Sequence, residues 1–426
     1  MNSPADPRAH ERIAVIGAGL IGSAIAWRLT HEGHKVLLID RAEPAHYGAS
    51  FGNAGHVATE QREPLPSLGL LLTFWRQLAV CGGPVDIPLH RLLSLAPWMA
   101  RFAAAALHQR RNTPALAALV RPAADALERA LREIGHPELL VRHGHYKFWW
   151  GAGSAARAAR AAGAAAEFEV RTEPAPAQLI QAIEARAPGR VSGLWFPDSA
   201  HVIDPQSVAA ALVTAAVQAG ARFEQCEVRE IRGVGERLLV DSGDVQHRVR
   251  AVVVCAGVQA APLLRPFGLR APLTAERGYH LEFAGAQALT DAPVVYAEHN
   301  LIVTPMQGRL RATSYLEFNR HGAPPDARKL QRLRSTLEHL GYRSETHHAG
   351  WVGSRPTLPD YLPGIGRAPH APLYYAIGHQ HLGLTLSAPT AEVMAALIAG
   401  RDPPVATAPF DLGRFGRAAP LTGAPS

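Results

Sequence analysis

The sequence predicts an α/β protein with a buried parallel sheet and a second domain interleaved with it along the chain. Two fully apolar runs, IAVI and AVVV, are long enough for strands and imply burial on both faces, as in a parallel sheet. Alternating strand and helix patterns occur in three separate blocks, which favours discontinuous domains over consecutive ones. The length of 426 residues is enough for about two domains.

The first block, RIAVIGAGLIGSAIAWRLTHEGHKVLLID, predicts a βαβ unit. Its hydrophobic pattern indicates a strand over 12–16, a helix over 20–31 and a second strand over 35–40. The turn between the first strand and the helix reads Gly17-x-Gly19-x-x-Gly22, and Asp40 ends the second strand. This combination is the Rossmann-like dinucleotide-binding pattern.

Each part of the pattern has a mechanical reason. Gly17 permits a tight turn, Gly19 lets a pyrophosphate approach the backbone, and Gly22 lets the helix pack on the strand. The helix N-terminus favours an anion, and Asp40 would accept hydrogen bonds from the ribose while repelling a 2′-phosphate. NADP is therefore disfavoured, but the pattern does not separate NAD from FAD. The predicted contacts here are Gly17, Gly19, Leu20, Ile21, Gly22, Asp40 and Arg41.

The rest of the chain divides by texture. Residues 61–200 are mostly Ala/Leu/Arg helices with a strand over 145–150, and Asp204-Pro205 predicts the start of a helix that Gly220 ends. Strands over 271–350 with one helix over 328–340 suggest an antiparallel or mixed sheet plus helices. The predicted dinucleotide-binding domain comprises 1–80, 191–270 and 350–426, and the predicted substrate-binding domain comprises 81–190 and 271–349.

Composition excludes several classes of protein. The net charge of +7 comes almost wholly from scattered arginines, without a basic block, so nucleic-acid binding is not expected, whereas an acidic small-molecule substrate is compatible. Cys81, Cys226 and Cys255 are too few and too far apart for a disulfide framework, a zinc site or an iron–sulfur centre. The N-terminus has no apolar signal segment and no stretch long enough to span a bilayer, so we expect a cytoplasmic protein, at most peripheral to the inner face of the membrane.

Three further motifs carry a family resemblance. They are ASFGNAGHVATEQ (49–61), WVGSRPTLPDYLPGIG (351–366) and LYYAIGHQHLGLTLS (373–387). With the glycine turn, and in this order and spacing, they resemble the FAD-dependent amine oxidoreductases of the D-amino acid oxidase superfamily over about residues 12–400. The likeness is greatest to bacterial D-amino acid dehydrogenases, including enzymes that act on D-hydroxyproline.

The resemblance implies a set of FAD-binding residues. A glycine-rich loop after the last strand would pass the pyrimidine edge of the flavin, where backbone N–H groups stabilise negative charge. No cysteine follows Cys255, so the flavin is expected to be non-covalent, and Cys255 itself is expected to be structural. The implied residues are Ser50, Asn53, Ala54, Gly55, Val228, Ala256, Gly257, Gly378, Gln380, His381, Leu382, Gly383 and Leu384.

The resemblance also implies the substrate end of the site. Arg355 would hold a substrate carboxylate through its planar guanidinium, although a surface arginine before a proline is an alternative. Tyr279 would bind the carboxylate or line the pocket, or else simply pack in the core. His379 would lie beside the flavin ring, and His56 is an active-site neighbour. The pair His379 and His381 lacks a convergent carboxylate or cysteine, so no metal is predicted.

The activity implied is oxidation of a D-amino acid, with D-proline and cis-4-hydroxy-D-proline among the candidates, by hydride transfer from Cα to flavin N5. Electrons would pass to a quinone or protein carrier, because the chain's three lysines make the oxygen-activating lysine of sarcosine oxidases improbable. Some enzymes of this kind also need small partner subunits. Two alternatives stay open: a glycine- or sarcosine-type amine oxidase of the same superfamily, and a non-catalytic flavin-binding subunit.

Overall fold

A computed structural model of the chain describes residues 11–79, 83–187, 189–285, 287–342 and 350–418. The predicted domain boundary between residues 80 and 81, and with it Cys81, lies outside the described residues. So do both chain ends of the predicted dinucleotide-binding domain.

The strands of the described residues follow the predicted three-block pattern. In chain order they are β1 (Ile13–Ile16), β2 (Val36–Asp40), β3 (His56–Val57), β4 (Val85–Asp86), β5 (Leu140–Val141), β6 (His145–Trp150), β7 (Glu173–Pro174), β8 (Val191–Phe196), β9 (Ala200–Val202), β10 (Arg222–Gln225), β11 (Glu230–Val234), β12 (Arg237–Asp241), β13 (Gln246–Val249), β14 (Ala251–Val254), β15 (Thr274–Ala284), β16 (Val294–Tyr296), β17 (Leu301–Met306), β18 (Arg309–Phe318), β19 (Trp351–Thr357), β20 (Gly364–Arg367) and β21 (Leu373–Ile377).

The helices concentrate between residues 68 and 218, as the Ala/Leu/Arg texture predicts. In chain order they are α1 (Leu20–His31), α2 (Leu68–Gln77), α3 (Leu92–Ala106), α4 (Gln109–Val120), α5 (Ala123–Glu133), α6 (Ser154–Glu167), α7 (Ala177–Arg186), α8 (Pro205–Gln218), α9 (Ala260–Leu264), α10 (Ala327–His339) and α11 (Ser387–Ile398).

The first domain is built on a six-stranded sheet in the order β10-β2-β1-β14-β21-β20, with every neighbouring pair parallel except β20 with β21. Helices α1, α5, α8 and α11 share one hydrophobic core with one face of this sheet. The antiparallel sheet β11-β12-β13 packs on the other face. Because both faces are covered, the strands β1 and β14 are apolar at every position, as the sequence predicts.

Helix α8 shows how local sequence sets a boundary in this domain. Asp204 precedes the helix, and its side chain accepts a hydrogen bond from the Ser207 N–H at 3.0 Å while Pro205 occupies the first helical position. Both features stabilise the helix start, because the first turn leaves backbone N–H groups without partners.

The second domain is built on a nine-stranded mixed sheet in the order β19-β15-β18-β17-β16-β6-β8-β7, with β4 paired to β18. Helices α7 and α10 cover one part of this sheet, and α2 and α3 pack on a separate cluster that includes Phe318 and Tyr361. The predicted antiparallel or mixed sheet with helices is therefore present.

Two strands differ from the predicted domain boundaries. Strand β8 pairs with β6, and β19 pairs with β15, so both belong to the second sheet although they fall within ranges assigned to the first domain. In addition, α5 packs against α11 of the first domain although residues 81–190 were assigned to the second. Apolar alternation shows that a segment is a strand or helix, but pairing partners are set by long-range contacts.

Candidate active site

A cavity of about 640 Å³ lies between the two sheets, within the range typical of ligand sites. Both domains contribute to its wall. The glycine turn, residues 226–229, residues 255–259 and the loop 376–383 come from the first domain, and Gly278, Tyr279 and part of β19 come from the second.

The glycine turn has no room for side chains. Gly17 has a φ of +107°, and a Cβ there would lie 2.5 Å from the Cys255 carbonyl oxygen; a Cβ on Gly22 would lie 1.7 Å from the Gly17 carbonyl oxygen. The first turn of α1 contains no acidic residue. The helix N-terminus is thus free of internal negative charge and closely approached by backbone, which fits the pyrophosphate of a dinucleotide.

Two side chains complete this end of the cavity. Ser50 Oγ accepts a hydrogen bond from the Leu20 N–H at 3.0 Å, so the loop 49–55 reaches the start of α1. Asp40 Oδ2 accepts from the Ala18 N–H at 2.6 Å, which holds the carboxylate at the carboxyl end of β2. Asp40 lines the cavity where the ribose-binding acid of such a fold is expected.

A side chain of the second domain holds the loop 49–55 in place. Arg311, which is almost fully buried, donates through Nη1 to the Asn53 carbonyl oxygen at 2.6 Å and pairs through Nη2 with Glu282 at 2.6 Å. Ser50, Asn53 and Ala54 line the cavity. The two domains therefore hold one shared wall segment between them.

The far end of the cavity is closed by polar groups around Arg41. Its guanidinium lies 3.2 Å from Glu227, contacts Gln259 and stacks over the Tyr47 ring at 5.1 Å. Val228, Ala256 and Gly257, for which the resemblance implies contact with the adenosine side of the cofactor, line the cavity wall.

The loop after β21 packs against residues 358–361, which follow β19. Gly378 has a φ of +73°, and a Cβ there would lie 2.6 Å from Leu358 Cδ1. Gln380 also has a positive φ, and its side-chain amide donates to the Tyr361 carbonyl oxygen at 2.5 Å. Gly378, His379, Gln380, His381 and Gly383 line the cavity.

The two histidines of this loop are neutral and have different surroundings. His379 Nε2 lies 3.1 Å from Thr390 Oγ1 of α11, and burial lowers the pKa of His379 to about 3. His381 opens onto the cavity and contacts Gln61, and desolvation lowers the pKa of His381 to about 4. Neither ring carries a proton charge at neutral pH.

Arg355 lies on β19 in the cavity wall with its side chain 18% exposed. Its Nη1 donates to Glu276 Oε1 at 3.0 Å. The opposite oxygen of Glu276 accepts from Tyr361 at 2.7 Å and from Thr357 at 3.3 Å. Glu276 is fully buried, so it anchors one edge of the guanidinium, and the cavity is the remaining place where Arg355 can bind an anion.

Tyr279 lies on β15 and contributes to the cavity wall. Its hydroxyl donates to Glu317 and accepts from the Asp326 N–H at 3.2 Å, and burial raises the pKa of Tyr279. Because this hydroxyl is occupied by a buried network, the ring, rather than the hydroxyl, is the part available to the cavity. The structure therefore favours the wall interpretation over hydrogen bonding to a carboxylate.

Four predicted cofactor residues do not line the cavity. Gly22 packs α1 on the glycine turn, and Gly55 lies against Met306. Leu382 and Leu384 are buried in the core of the first domain. The other predicted cofactor residues lie on the wall: Gly17, Gly19, Leu20, Ile21, Asp40, Arg41, Ser50, Asn53, Ala54, Val228, Ala256, Gly257, Gly378, Gln380, His381 and Gly383.

Glu276 and Trp351 are among the site residues that the sequence did not predict. Glu276, the partner of Arg355, lies 79 residues from it in the chain, and no local motif marks it. Trp351 is the first residue of the motif 351–366 and lines the cavity. Its indole lies so close to Gly52 that a Cβ added to Gly52 would lie 2.1 Å from the ring. Both residues belong to the quoted motifs, so the pair was a possible signal in the sequence.

A buried cluster of polar groups includes Glu60, the neighbour in the chain of Gln61, which contacts His381. His56, Glu60 and His145 bring potential ligand atoms within 4.8 Å of one another, and among the described residues this is the group with metal-like spacing. Burial lowers the pKa of His56 to about 4 and raises that of Glu60 to about 7. The charge of Lys147 opposes the shift of Glu60, so a cation already lies near this carboxylate.

Replacing Glu60 with glutamine is expected to stabilise the protein above pH 7. The pKa of Glu60 rises from 4.5 to about 7 on burial, so the folded state binds the extra proton and loses stability as pH rises through that window. The lost stability is about 3 kcal/mol, and glutamine removes it. Urea unfolding at pH 5 and pH 8 measures the effect.

The exposed Glu236 is a matched control for this substitution. Glu236→Gln should change the free energy of unfolding equally at the two pH values, whereas Glu60→Gln should show its gain only at the higher one. An equal effect of Glu60→Gln at both pH values would contradict the assignment.

A dinucleotide-binding sheet, a second mixed sheet and a cavity between them with an arginine at one end define a two-domain nucleotide-dependent oxidoreductase. The chain belongs to the family of FAD dependent oxidoreductases, DAO, whose model matches residues 12–397. The predicted family resemblance, the α/β fold and FAD as cofactor are thereby confirmed.

Known proteins are similar over nearly their whole length. A D-amino-acid oxidase of Bradyrhizobium diazoefficiens is 28% identical, covering 95% of this chain and 98% of that protein. A D-amino acid dehydrogenase 2 of Ralstonia nicotianae is 29% identical, covering 95% and 100%. The structure of glycine oxidase from Geobacillus kaustophilus is similar in fold, with a TM-score of 0.71 at 24% identity, covering 95% and 99%.

Proposed function

We propose that this protein dehydrogenates a D-amino acid between Cα and the amine nitrogen and passes the electrons to an acceptor other than oxygen. The names of its relatives support this class of reaction. The observation that carries the proposal is Arg355, which presents a guanidinium to the cavity on the side of the loop 378–383.

Arg355 is suited to a carboxylate because one of its edges is already held. Glu276 occupies Nη1 and fixes the plane of the guanidinium, so a substrate carboxylate meets a cation that needs no further ordering. Of the other arginines in the wall, Arg41 pairs with Glu227, and Arg229 belongs to the same segment, at the adenosine end. Arg355 is therefore the cation assigned to substrate binding.

The other residues of the site prepare its electrostatics. FAD supplies the redox chemistry when bound, taking up the two electrons that leave the substrate. By the family resemblance, the backbone N–H groups of Gln380, His381 and Gly383, which line the cavity, would stabilise negative charge on the cofactor. The Leu382 N–H donates to the His379 carbonyl oxygen at 2.9 Å and is not available for this role. His379 and His381 are neutral, so neither imidazole adds a positive charge to the cavity wall, and Arg355 is the cation that a substrate carboxylate meets there.

The proposed electron acceptor and substrates are those of the D-amino acid dehydrogenase class. We assign the chain to the dehydrogenase branch, with a quinone or protein carrier as acceptor, and we keep D-proline and cis-4-hydroxy-D-proline among the substrates. Small partner subunits and a place at the inner face of the cell membrane belong to this proposal.

Anaerobic bleaching of the bound flavin tests the proposal. A panel of D-amino acids, cis-4-hydroxy-D-proline, glycine and sarcosine is added to the purified yellow protein without oxygen. We expect a D-amino acid to bleach the flavin and its L-enantiomer to leave it oxidised. A quinone analogue should then restore the colour faster than air does. No bleaching by any member of the panel would contradict the proposed activity, and faster recovery in air would contradict the dehydrogenase assignment.

A further inference from the structure

Large apolar side chains are exposed in one segment of the protein. Among the described residues, twelve large hydrophobic side chains are exposed, and eight of them fall between residues 65 and 107. Leu72 is 80% exposed, Leu89 85% and Leu93 92%. We call this surface the apolar face; its members are Leu65, Leu68, Leu72, Trp75, Leu89, Leu92, Leu93 and Leu107.

Five of these residues lie on the adjacent helices α2 and α3, and Leu65, Leu89 and Leu107 lie just before or after them in the chain. On α2, Leu68, Leu72 and Trp75 repeat at helical spacing, and no residue of α2 is fully buried. Along α3 and just after it, the exposed positions Leu93, Pro97, Ala100, Ala104 and Leu107 repeat in the same way. Helices α2 and α3 contact each other, and their inner residues pack in one cluster. Both helices are therefore apolar on the outside as well as the inside, which is unusual for a helix facing water.

Most charged side chains in this part of the chain are basic, although Glu63 and Asp125 flank it directly and Arg121 pairs with Glu169. Residues 64–124 contain a single acidic side chain, Asp86, and that one pairs with Lys329. The same stretch contains six arginines, at positions 76, 91, 101, 110, 111 and 121. Exposed leucine and tryptophan beside arginine, with few acidic residues, is the composition of helices that lie in the headgroup region of a membrane.

A chain of packed side chains connects the helices of the apolar face to the substrate end of the site. Trp98 and Phe102 of α3 contact Phe318 and Tyr361 at ring-centroid distances of 5.4 and 5.8 Å. Tyr361 in turn donates to Glu276, the partner of Arg355. A surface seated on this face would therefore be close to the redox centre.

We propose that the outer surface of α2 and α3 docks onto a bilayer that contains anionic phospholipid. The leucines and Trp75 would enter the interface, and the arginines would contact lipid phosphates. No described helix is long and apolar enough to span a membrane, so the helices lie along its surface. A second copy of the chain fits less well, because a two-fold interface would bring the arginines of both copies together.

The docking proposal does not need the proposed function to be correct. Only its consequence does, namely that a membrane would bring a lipid-soluble electron acceptor close to the site. The binding itself is measured separately, by sedimentation of the full-length FAD-loaded protein with vesicles. Vesicles of phosphatidylcholine alone are compared with vesicles that also contain phosphatidylglycerol. We expect binding to the anionic vesicles, weaker binding to the neutral ones, and weakening by salt.

Two pairs of substitutions locate the surface. Leu72→Ser with Leu93→Ser should weaken binding to anionic vesicles by roughly tenfold or more. Arg76→Gln with Arg91→Gln should reduce the preference for anionic over neutral vesicles. Val234→Ser with Val245→Ser is the matched control, because these two valines are exposed, one on β11 and one in the turn between β12 and β13, and it should bind as the wild type does.

The outcomes separate docking from catalysis. Flavin bleaching by a D-amino acid in vesicle-free solution should be the same in all these variants, because none of the replaced residues lines the cavity. Failure of the wild type to sediment, or equal binding by the leucine variant, overturns the docking proposal even if bleaching is intact. A wild-type dimer that the leucine substitutions convert to a monomer overturns it in favour of a second copy. Vesicle binding without bleaching leaves docking supported and contradicts only the proposed activity.

Discussion

Replacing Arg355 with lysine is expected to lower kcat/KM for a D-amino acid by roughly a hundredfold, the effect of losing a desolvated, two-point contact to a carboxylate. Lysine keeps the positive charge but has no planar fork, so it cannot pair with Glu276 and a substrate carboxylate in parallel. Anaerobic bleaching rates over a range of substrate concentrations give kcat/KM for the reductive step. Lysine is chosen because a neutral residue would leave Glu276 buried without its cation and could unfold the protein.

The substrate itself provides the sharper control. Amines of the same shape that lack the carboxylate should be oxidised poorly by the wild type and no more poorly by Arg355→Lys, because the contact in question is absent. Arg309→Lys is a matched protein control, since Arg309 also forms ion pairs, with Asp204 and Glu282, away from the cavity. The carboxylate role of Arg355 is wrong if the lysine variant keeps its wild-type kcat/KM for D-amino acids.

Replacing Gly22 with alanine is expected to yield protein without bound flavin and with unfolding free energy lower by about 3 kcal/mol or more, as for severe overpacking. The added Cβ would lie 1.7 Å from the Gly17 carbonyl oxygen, which is backbone and cannot turn aside as a side chain can. Relief requires α1 to move away from the glycine turn, and the dinucleotide cradle opens. The ratio of flavin to protein and a urea unfolding curve measure both effects.

Two other glycines separate misfolding from loss of the cofactor. Gly163 lies within α6 with no atom near its added Cβ, so Gly163→Ala should retain flavin and gain up to about 1 kcal/mol from helix propensity. At Gly19 the Cβ would lie 2.9 Å from Ser50 Oγ, a side chain that can rotate, so Gly19→Ala should fold but bind FAD less tightly. A yellow, stable Gly22→Ala protein would mean that the turn is not the cofactor's cradle.

The features that could be predicted from the sequence are those that depend on residues close together in the chain. The turn Gly17-x-Gly19-x-x-Gly22 and helix α1 were predictable because a tight turn, a close backbone approach and a helix start are local requirements. The start of α8 at Asp204-Pro205 was predictable for the same reason. The motif resemblance also predicted that the loop 378–383 and Arg355 belong to the site, and both contribute to the cavity wall.

Properties that depend on packing between distant segments could not be predicted from the sequence. The pairing of β8 and β19 with the second sheet could not be predicted, because an apolar strand pattern carries no information about its partner. The segment 378–384 contains both cavity residues and the core residues Leu382 and Leu384, and a motif does not say which way each side chain points. The exposed leucines of α2 and α3 also look, in sequence, like ordinary core positions.

By itself the sequence determined the dinucleotide-binding unit, the family and the residue types available for chemistry, since these follow from backbone geometry and local motif. Only the tertiary structure decided that Glu276 anchors Arg355, that the hydroxyl of Tyr279 is occupied by Glu317, and that α2 and α3 are apolar on their outer surface. The physical reason is that charge, burial and hydrogen bonding are properties of a side chain's surroundings, which come from segments far apart in the chain.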